Sequence, residues 1–252
     1  MTPAEQAAAH DANFVEFFRM AATPLAGASQ ATYGTIPVVV TGVPAPFFNG
    51  AWLLESPSHD DLEAALLHLR GSGLPFILHV RSDLPDAARS VESLGLAADG
   101  LLPCFAISPG PTPPAPPDLE LRRVGPSEWD DFLATTAAGF GMPLPMVDAL
   151  YAPAMLDMPG VRAFLGYADG WPVATSVSVR TGSTLGIYSI ATVPEARGRG
   201  HGTAATWHLM RDADPGWQVA VLQASDMGRP IYERMGFQLV REFVEYVARP
   251  PA

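Results

Sequence analysis

The stretch Ile190-Ala191-Thr192-Val193-Pro194-Glu195-Ala196-Arg197-Gly198-Arg199-Gly200-His201-Gly202-Thr203 reads as the end of a strand, a short turn and the glycine-rich start of a helix. A helix start exposes backbone N–H groups that no helical carbonyl satisfies, and these can cradle a pyrophosphate. Gly198, Gly200 and Gly202 remove the Cβ atoms that would hold phosphate oxygens off the backbone. Arg197 and Arg199 add positive charge where the anion would sit. A turn of this kind also serves simply to start a helix. Two better-known phosphate patterns do not fit. The dinucleotide fingerprint needs G-x-G-x-x-G with an acidic residue further on, but here the glycines are followed by Ala205. A P-loop ends in Gly-Lys-Ser/Thr, and this chain contains no lysine. What remains is Arg-x-x-Gly-x-Gly after a strand.

That loop resembles the acyl-CoA signature of the GCN5-related N-acetyltransferase (GNAT) family. The resemblance continues in Leu222-Gln223-Ala224-Ser225-Asp226-Met227-Gly228-Arg229-Pro230-Ile231-Tyr232-Glu233-Arg234-Met235-Gly236-Phe237. This stretch is similar to the family's second block: a strand, a helix carrying a tyrosine, then Gly-Phe. One helix (Thr203 to Arg211), a turn at Asp214-Pro215-Gly216 and a strand (Gln218 to Leu222) separate the blocks as in the family. The match runs from Leu119 to Val247 and is strongest from Leu185 onward.

The resemblance implies an α/β fold with a GNAT-like mixed sheet flanked by helices. By it, the backbone of Ala191, Thr192 and Val193 would bind the pantetheine arm of acetyl-CoA like an added strand. The N–H groups of Gly198, Arg199, Gly200, His201, Gly202 and Thr203 would hold its pyrophosphate. Tyr232 stands at the family's proton donor to the coenzyme A sulfur, a task that suits a phenol because it stays protonated at neutral pH. The competing reading of Tyr232 is a core aromatic between Ile231 and Phe237. Ser225 stands where many relatives carry a cofactor-binding asparagine, and it suits a helix N-cap equally well. Some relatives place a catalytic glutamate on the preceding strand. Here Gln218 to Gln223 carries no carboxylate. The candidates for a base are a water held by Tyr188 or Ser189, or Asp226. His208 reads as a surface or packing residue of its helix, and Glu195 as a solvated turn residue.

The chain has 252 residues, of which 48% are hydrophobic, enough to bury a large core as one large or two small domains. No apolar run approaches the ~18 residues of a membrane span, and the opening Met1-Thr2-Pro3-Ala4-Glu5 lacks the basic region of a secretory signal. A single cysteine, Cys104, forbids an intrachain disulfide, so a cytoplasmic protein is expected. The net charge of −11 speaks against nonspecific nucleic-acid binding. It suits a cationic amine substrate, or simply a soluble surface. His10, His59, His68 and His79 show no metal-ligand spacing, and no metal is expected.

Ser108 to Pro117 is a proline-rich boundary that divides residues 1–107 from residues 118–252. Residues 1–117 carry 4 Arg against 11 Asp+Glu, a net −7, and residues 118–252 carry 11 Arg against 15, a net −4. The first half reads as a helix from Pro3 to Met20 with Phe14, Phe17 and Phe18 inward, strands at Thr35–Val43 and Ala51–Ser56, and a helix capped at Ser58 and running to Leu69. A strand at Phe76–Val80, a helix at Asp83–Leu94 ended by Gly95, and a strand at Leu101–Ile107 follow. In the second half, Leu119–Val124 is a strand, Pro126-Ser127-Glu128 caps a helix, and Pro145–Tyr151 is a short helix. Ala163–Ala168 and Trp171–Arg180 form a hairpin around Asp169-Gly170, Thr184–Val193 is the central strand, and Phe243–Ala248 is the last. The halves repeat one layout. Ser93-Leu94-Gly95-Leu96 falls where the second half has Arg234-Met235-Gly236-Phe237, but Val91 replaces the tyrosine and no glycine loop precedes it. The first half is therefore expected to be a degenerate, noncatalytic copy giving two GNAT-like units in tandem, the alternative being an unrelated α/β cap.

The resemblance implies transfer of acetyl from acetyl-CoA to a primary amine of a small molecule or peptide by direct attack. The alternatives are another acyl donor, such as succinyl- or propionyl-CoA, and a noncatalytic coenzyme A-binding sensor. Met142, Met146, Met155 and Met158, with Phe140 and Tyr151, form a deformable apolar region that would line the acceptor pocket or else simply pack the core. The first half would support that pocket or a homodimer interface.

Overall fold

The structure is a computed structural model and describes residues 1–111, 113 and 118–249. The rest of the proline-rich boundary, residues 112 and 114–117, lies outside the described residues. One 11-stranded mixed sheet runs through both halves, in the order β1-β2-β3-β4-β11-β5-β10-β9-β8-β7-β6.

The first half contributes α1 (Pro3–Ala22), β1 (Ser29–Tyr33), β2 (Ile36–Val40), β3 (Asn49–Leu53), α2 (His59–Gly71), β4 (Phe76–Arg81), α3 (Pro85–Ser93) and β5 (Ala98–Ile107). The second contributes β6 (Glu120–Arg123), α4 (Trp129–Phe140), α5 (Leu144–Leu150), β7 (Val161–Ala168), β8 (Trp171–Thr181) and β9 (Thr184–Thr192). It ends with α6 (His201–Asp212), β10 (Val219–Gln223), α7 (Arg229–Arg234) and β11 (Gln238–Ala248). The expected order of elements holds. The edge strand β1 is the addition: its mostly exposed Ser-Gln-Ala-Thr-Tyr gives little apolar signal, and pairing with the buried β2 makes it a strand.

The local reasons are those the residues offer. Ser58 caps α2, its hydroxyl accepting the Asp61 N–H at 3.1 Å. Asp169 and Gly170 both have positive φ, as the tight β7–β8 turn requires. The expected cap of α4 does not form, because α4 starts at Trp129 without a side-chain cap. Instead the Glu128 carboxylate accepts the Gly125 N–H at 3.0 Å and the Ser127 hydroxyl at 2.8 Å.

The halves share one plan. Antiparallel β1–β2–β3 and β7–β8–β9 each lead through a helix to a parallel partner, β3 with β4 and β9 with β10. A short helix ended by a left-handed glycine follows in both, Gly95 at φ 83° and Gly236 at φ 94°. Then the final strands trade places. β11 pairs with β4 of the first half, and β5 with β10 of the second, while β5 and β11 pair with each other. The boundary at 108–117 thus divides the chain but not the sheet.

Helix α1 crosses this junction, packing on β2 of the first half and on β8, β9 and β10 of the second. Its Phe14, Phe17 and Phe18 are buried in a cluster with Trp52, Tyr188 and Phe243. Each such side chain contributes about 1.5–3 kcal/mol by leaving water. Polar contacts fix its register: Asn13 Nδ2 donates to Val179 O at 3.0 Å and to Thr181 Oγ1 at 2.8 Å, and Arg241 pairs with Asp11 at 2.9 Å. Among the described residues no helix is long and apolar enough to cross a membrane.

Candidate active site

Strands β9 and β10 pair in parallel from Thr184/Val219 to Gly186/Val221 and then part. β9 continues to Thr192 and β10 to Gln223, so the β9 edge beyond Gly186 has no strand partner on that side. A bulge helps turn it. The β8–β9 register shifts between Thr175/Ala191 and Val177/Tyr188, and Ser189 takes φ 52°. Thr175 Oγ1 donates to Ser189 O at 3.0 Å, and Tyr151 and Ser189 share a hydroxyl–hydroxyl hydrogen bond.

Between the parted strands lies a cavity of about 1140 Å³. At one end it is bordered by Gly198, Gly200, His201, Gly202 and Thr203. Gly198 and Gly200 sit at φ 79° and 83° with open space where a Cβ would point. Gly200 precedes the first residue of α6, whose first internal bond from the glycine loop is Ala204 N–H to Gly200 O at 2.9 Å. The preceding N–H groups therefore lack helical partners. His201 is buried, its Nε2 3.9 Å from the Asp118 carboxylate, with neither ring nitrogen hydrogen-bonded among the described residues, an unmet polar demand at the cavity wall. The free strand edge, the glycine cradle and this histidine fit an acyl-CoA.

Of the residues singled out in the sequence, Ala191, Thr192, Gly198, Gly200, His201 and Gly202 border the cavity, as do Thr203, Ser225 and Tyr232. Val193 and Arg199 are not among its lining residues. The Val193 N–H is used by the sheet, donating to Val173 O at 3.0 Å. Arg197 is a clamp as well as a charge, its guanidinium donating to Thr192 O at 3.2 Å and Gly139 O at 2.8 Å. The loop is thereby tied to β9 and α4 together. Ser225 Oγ accepts the Gly228 N–H at 3.2 Å within the turn before α7, but the helix N-cap is Gly228, not Ser225.

Tyr232 on α7 is buried, with its ring 5.8 Å from that of Phe237. Burial pushes its phenol up to about 12, against a smaller opposing effect of the Thr206 hydroxyl. The proposed holders of a water are both engaged: Tyr188 OH donates to Asn13 Oδ1 at 2.6 Å, and Ser189 is bonded to Tyr151. Asp226 is exposed and does not border the cavity. His208 packs its ring against Phe164 at 4.6 Å. Among the described residues no carboxylate lines the cavity.

Part of the cavity wall is built by the first half, which by sequence was expected to support the acceptor pocket or a homodimer interface. Phe14, Phe17 and Phe18 of α1 and Phe47 and Phe48 before β3 line it, as does Phe140. Of the four methionines only Met142 reaches the cavity, while Met155 is buried in the core and Met146 and Met158 pack against it. Cys104, on β5 of the first half, pairs with Gln223 of β10 and Arg241 of β11. It is fully buried, and burial holds its thiol well above the usual range. The corresponding strands of the first half do not part: β3 and β4 stay paired to Leu53/Val80, and Arg81 follows directly. Its guanidinium donates to Leu54 O at 2.9 Å and pairs with Asp83 at 2.6 Å.

Residues 130–216 match the family model described as an acetyltransferase (GNAT) domain. That match holds the glycine loop and stops short of Tyr232. A search of curated proteins gives no match. Among solved structures, a GCN5-related N-acetyltransferase from Kribbella flavida is similar at 19% identity and TM-score 0.71, over 99% of this chain and 96% of that one. One from Sphaerobacter thermophilus has 16% identity and TM-score 0.66, covering 86% of this chain and 77% of that one. A tandem GNAT protein from the clavulanic acid biosynthesis pathway has 12% identity and TM-score 0.62, covering 93% and 88%. Residues 130–216 thus match the GNAT acetyltransferase domain, and the chain carries the GNAT fold over nearly its whole length.

Proposed function

We propose that the protein is an acetyl-CoA-dependent N-acetyltransferase acting on a primary amine. One observation carries this reading: a single cavity is bordered at once by the glycine cradle, the parted end of β9 and β10, and the Tyr232 phenol. When bound, acetyl-CoA supplies an already activated thioester, so positioning provides much of the rate. The N–H groups at the start of α6 bind the diphosphate. The free edge of β9 at Ala191 and Thr192 orients the pantetheine arm as an added strand would.

Tyr232 keeps its proton at neutral pH, because burial raises the phenol to about 12, and so holds one for the departing thiolate at Oη. A covalent relay through Cys104 is disfavoured, since a buried, neutral thiol is a poor nucleophile. With no carboxylate on the cavity wall among the described residues, the acceptor enters as the neutral amine, and the pH dependence follows the acceptor's own ammonium pKa. Thiol release from acetyl-CoA against a panel of amines tests the reading. Acceptor-dependent release supports it. Coenzyme A binding without release from any acceptor would favour a sensor, and faster release from succinyl- or propionyl-CoA would favour another acyl donor.

A further inference from the structure

We infer that the acceptor is an amine carried on an apolar, aromatic-sized body with no second positive charge, a statement that rests on the acetyltransferase reading above. The cavity is divided by chemistry. Its basic side chains, Arg197, His201 and Arg234, all belong to the glycine loop, α6 and α7. The rest of the wall offers Phe14, Phe17, Phe18, Phe47, Phe48 and Phe140, and no ionisable carboxylate among the described residues. Hydroxyls on it already have partners: Tyr151 with Ser189, Tyr188 with Asn13, and Thr136 with Phe132 O at 2.7 Å. A second ammonium group would therefore lose its water and gain no counter-charge.

Aromatic rings can hold cations on their faces, but the α1 rings are packed on one another and on Tyr188. Phe17 stacks on Tyr188 at 3.9 Å with the planes 8° apart. Phe18 meets Phe14 at 71°, Phe17 at 82° and Phe47 at 64°, all edge-to-face. What the wall presents is apolar surface. At its mouth Phe47 and Phe140 remain 40% and 49% exposed, surface that an apolar acceptor body would cover.

The test compares 2-phenylethylamine with 1,5-diaminopentane, two primary amines that differ in the feature at issue. Binding of each to the full chain loaded with coenzyme A is measured by calorimetry, and kcat/KM by thiol release. Phenylethylamine should be favoured at least ~10-fold in both readouts, the size of effect that an apolar pocket commands. Phe140→Glu, at a half-exposed position that tolerates charge, should shrink this preference by improving the diamine. Equal or better binding of the diamine to the wild type would overturn the acceptor class and leave the acetyltransferase reading standing. Failure of coenzyme A to bind would remove both. Release with neither amine, together with tighter binding of phenylethylamine, would keep the pocket assignment and count against the catalytic reading.

Discussion

Tyr232 and Asn13 carry different parts of the account, one chemical and one structural. Tyr232→Phe removes a single oxygen from a buried ring, so the fold and coenzyme A affinity should be kept. Turnover should fall by roughly 10²-fold or more if Oη protonates the leaving thiolate. Unchanged kcat in steady-state thiol release would return Tyr232 to a packing role. Asn13 sits against Gly186, the last residue of the parallel β9–β10 pairing, where an added Cβ would run into Asn13 Oδ1 and the Tyr188 ring. Gly186→Ala should therefore cost about 1–3 kcal/mol in denaturant unfolding. Asn13→Ala in the same chain should recover part of that loss, because the two positions are coupled. Strict additivity of the two substitutions would contradict this packing.

At the scale of elements, the exchanged strands set the behaviour of the halves. A fragment of residues 118–252 would leave the β10 edge without β5 and the Tyr188 face without α1. An uncovered edge invites aggregation. The fragment should be insoluble or unfolded by circular dichroism, and it should be rescued by co-expression with residues 1–107. A stable, monomeric fragment would show that the exchange is dispensable. This exchange was not legible in the sequence. The helices and strands were, because Ser58, Gly95 and the Asp169-Gly170 turn mark their own ends. The glycine turn was legible too, since Gly198 and Gly200 are needed for their positive φ. Which strand β5 would join depends on pairing between residues more than a hundred positions apart, and no local pattern records that. The aromatic wall was legible only in part: the inward face of α1 was evident and the first half was expected to support the pocket or a dimer interface, but not which of its residues would line the cavity.

For the whole molecule, buried titratable groups bound the pH range of stability. Burial lowers the pKa of His10 from 6.5, so the folded state resists a proton that the unfolded state accepts. Stability from this source is present above pH 6.5 and is lost as pH falls through the lower folded value. Burial raises Tyr151, Tyr188 and Tyr232 above 10.0. Their contribution is full below pH 10 and is lost as pH rises through the folded values. Thermal unfolding followed against pH should show a plateau between these limits with a decline on both sides. A Tm still rising above pH 10 would contradict the burial of the three phenols.

Titration of coenzyme A into the full chain tests the central claim most directly. The account predicts one site per chain, because β3 and β4 of the first half stay paired and Arg81 ties their ends through Leu54 O. It also predicts that Gly200→Val, which places a side chain at φ 83° in the cradle, weakens binding by at least about tenfold while the fold is kept, strain at such a position costing ~1–3 kcal/mol. Absence of binding, two sites per chain, or an affinity indifferent to Gly200→Val would contradict it.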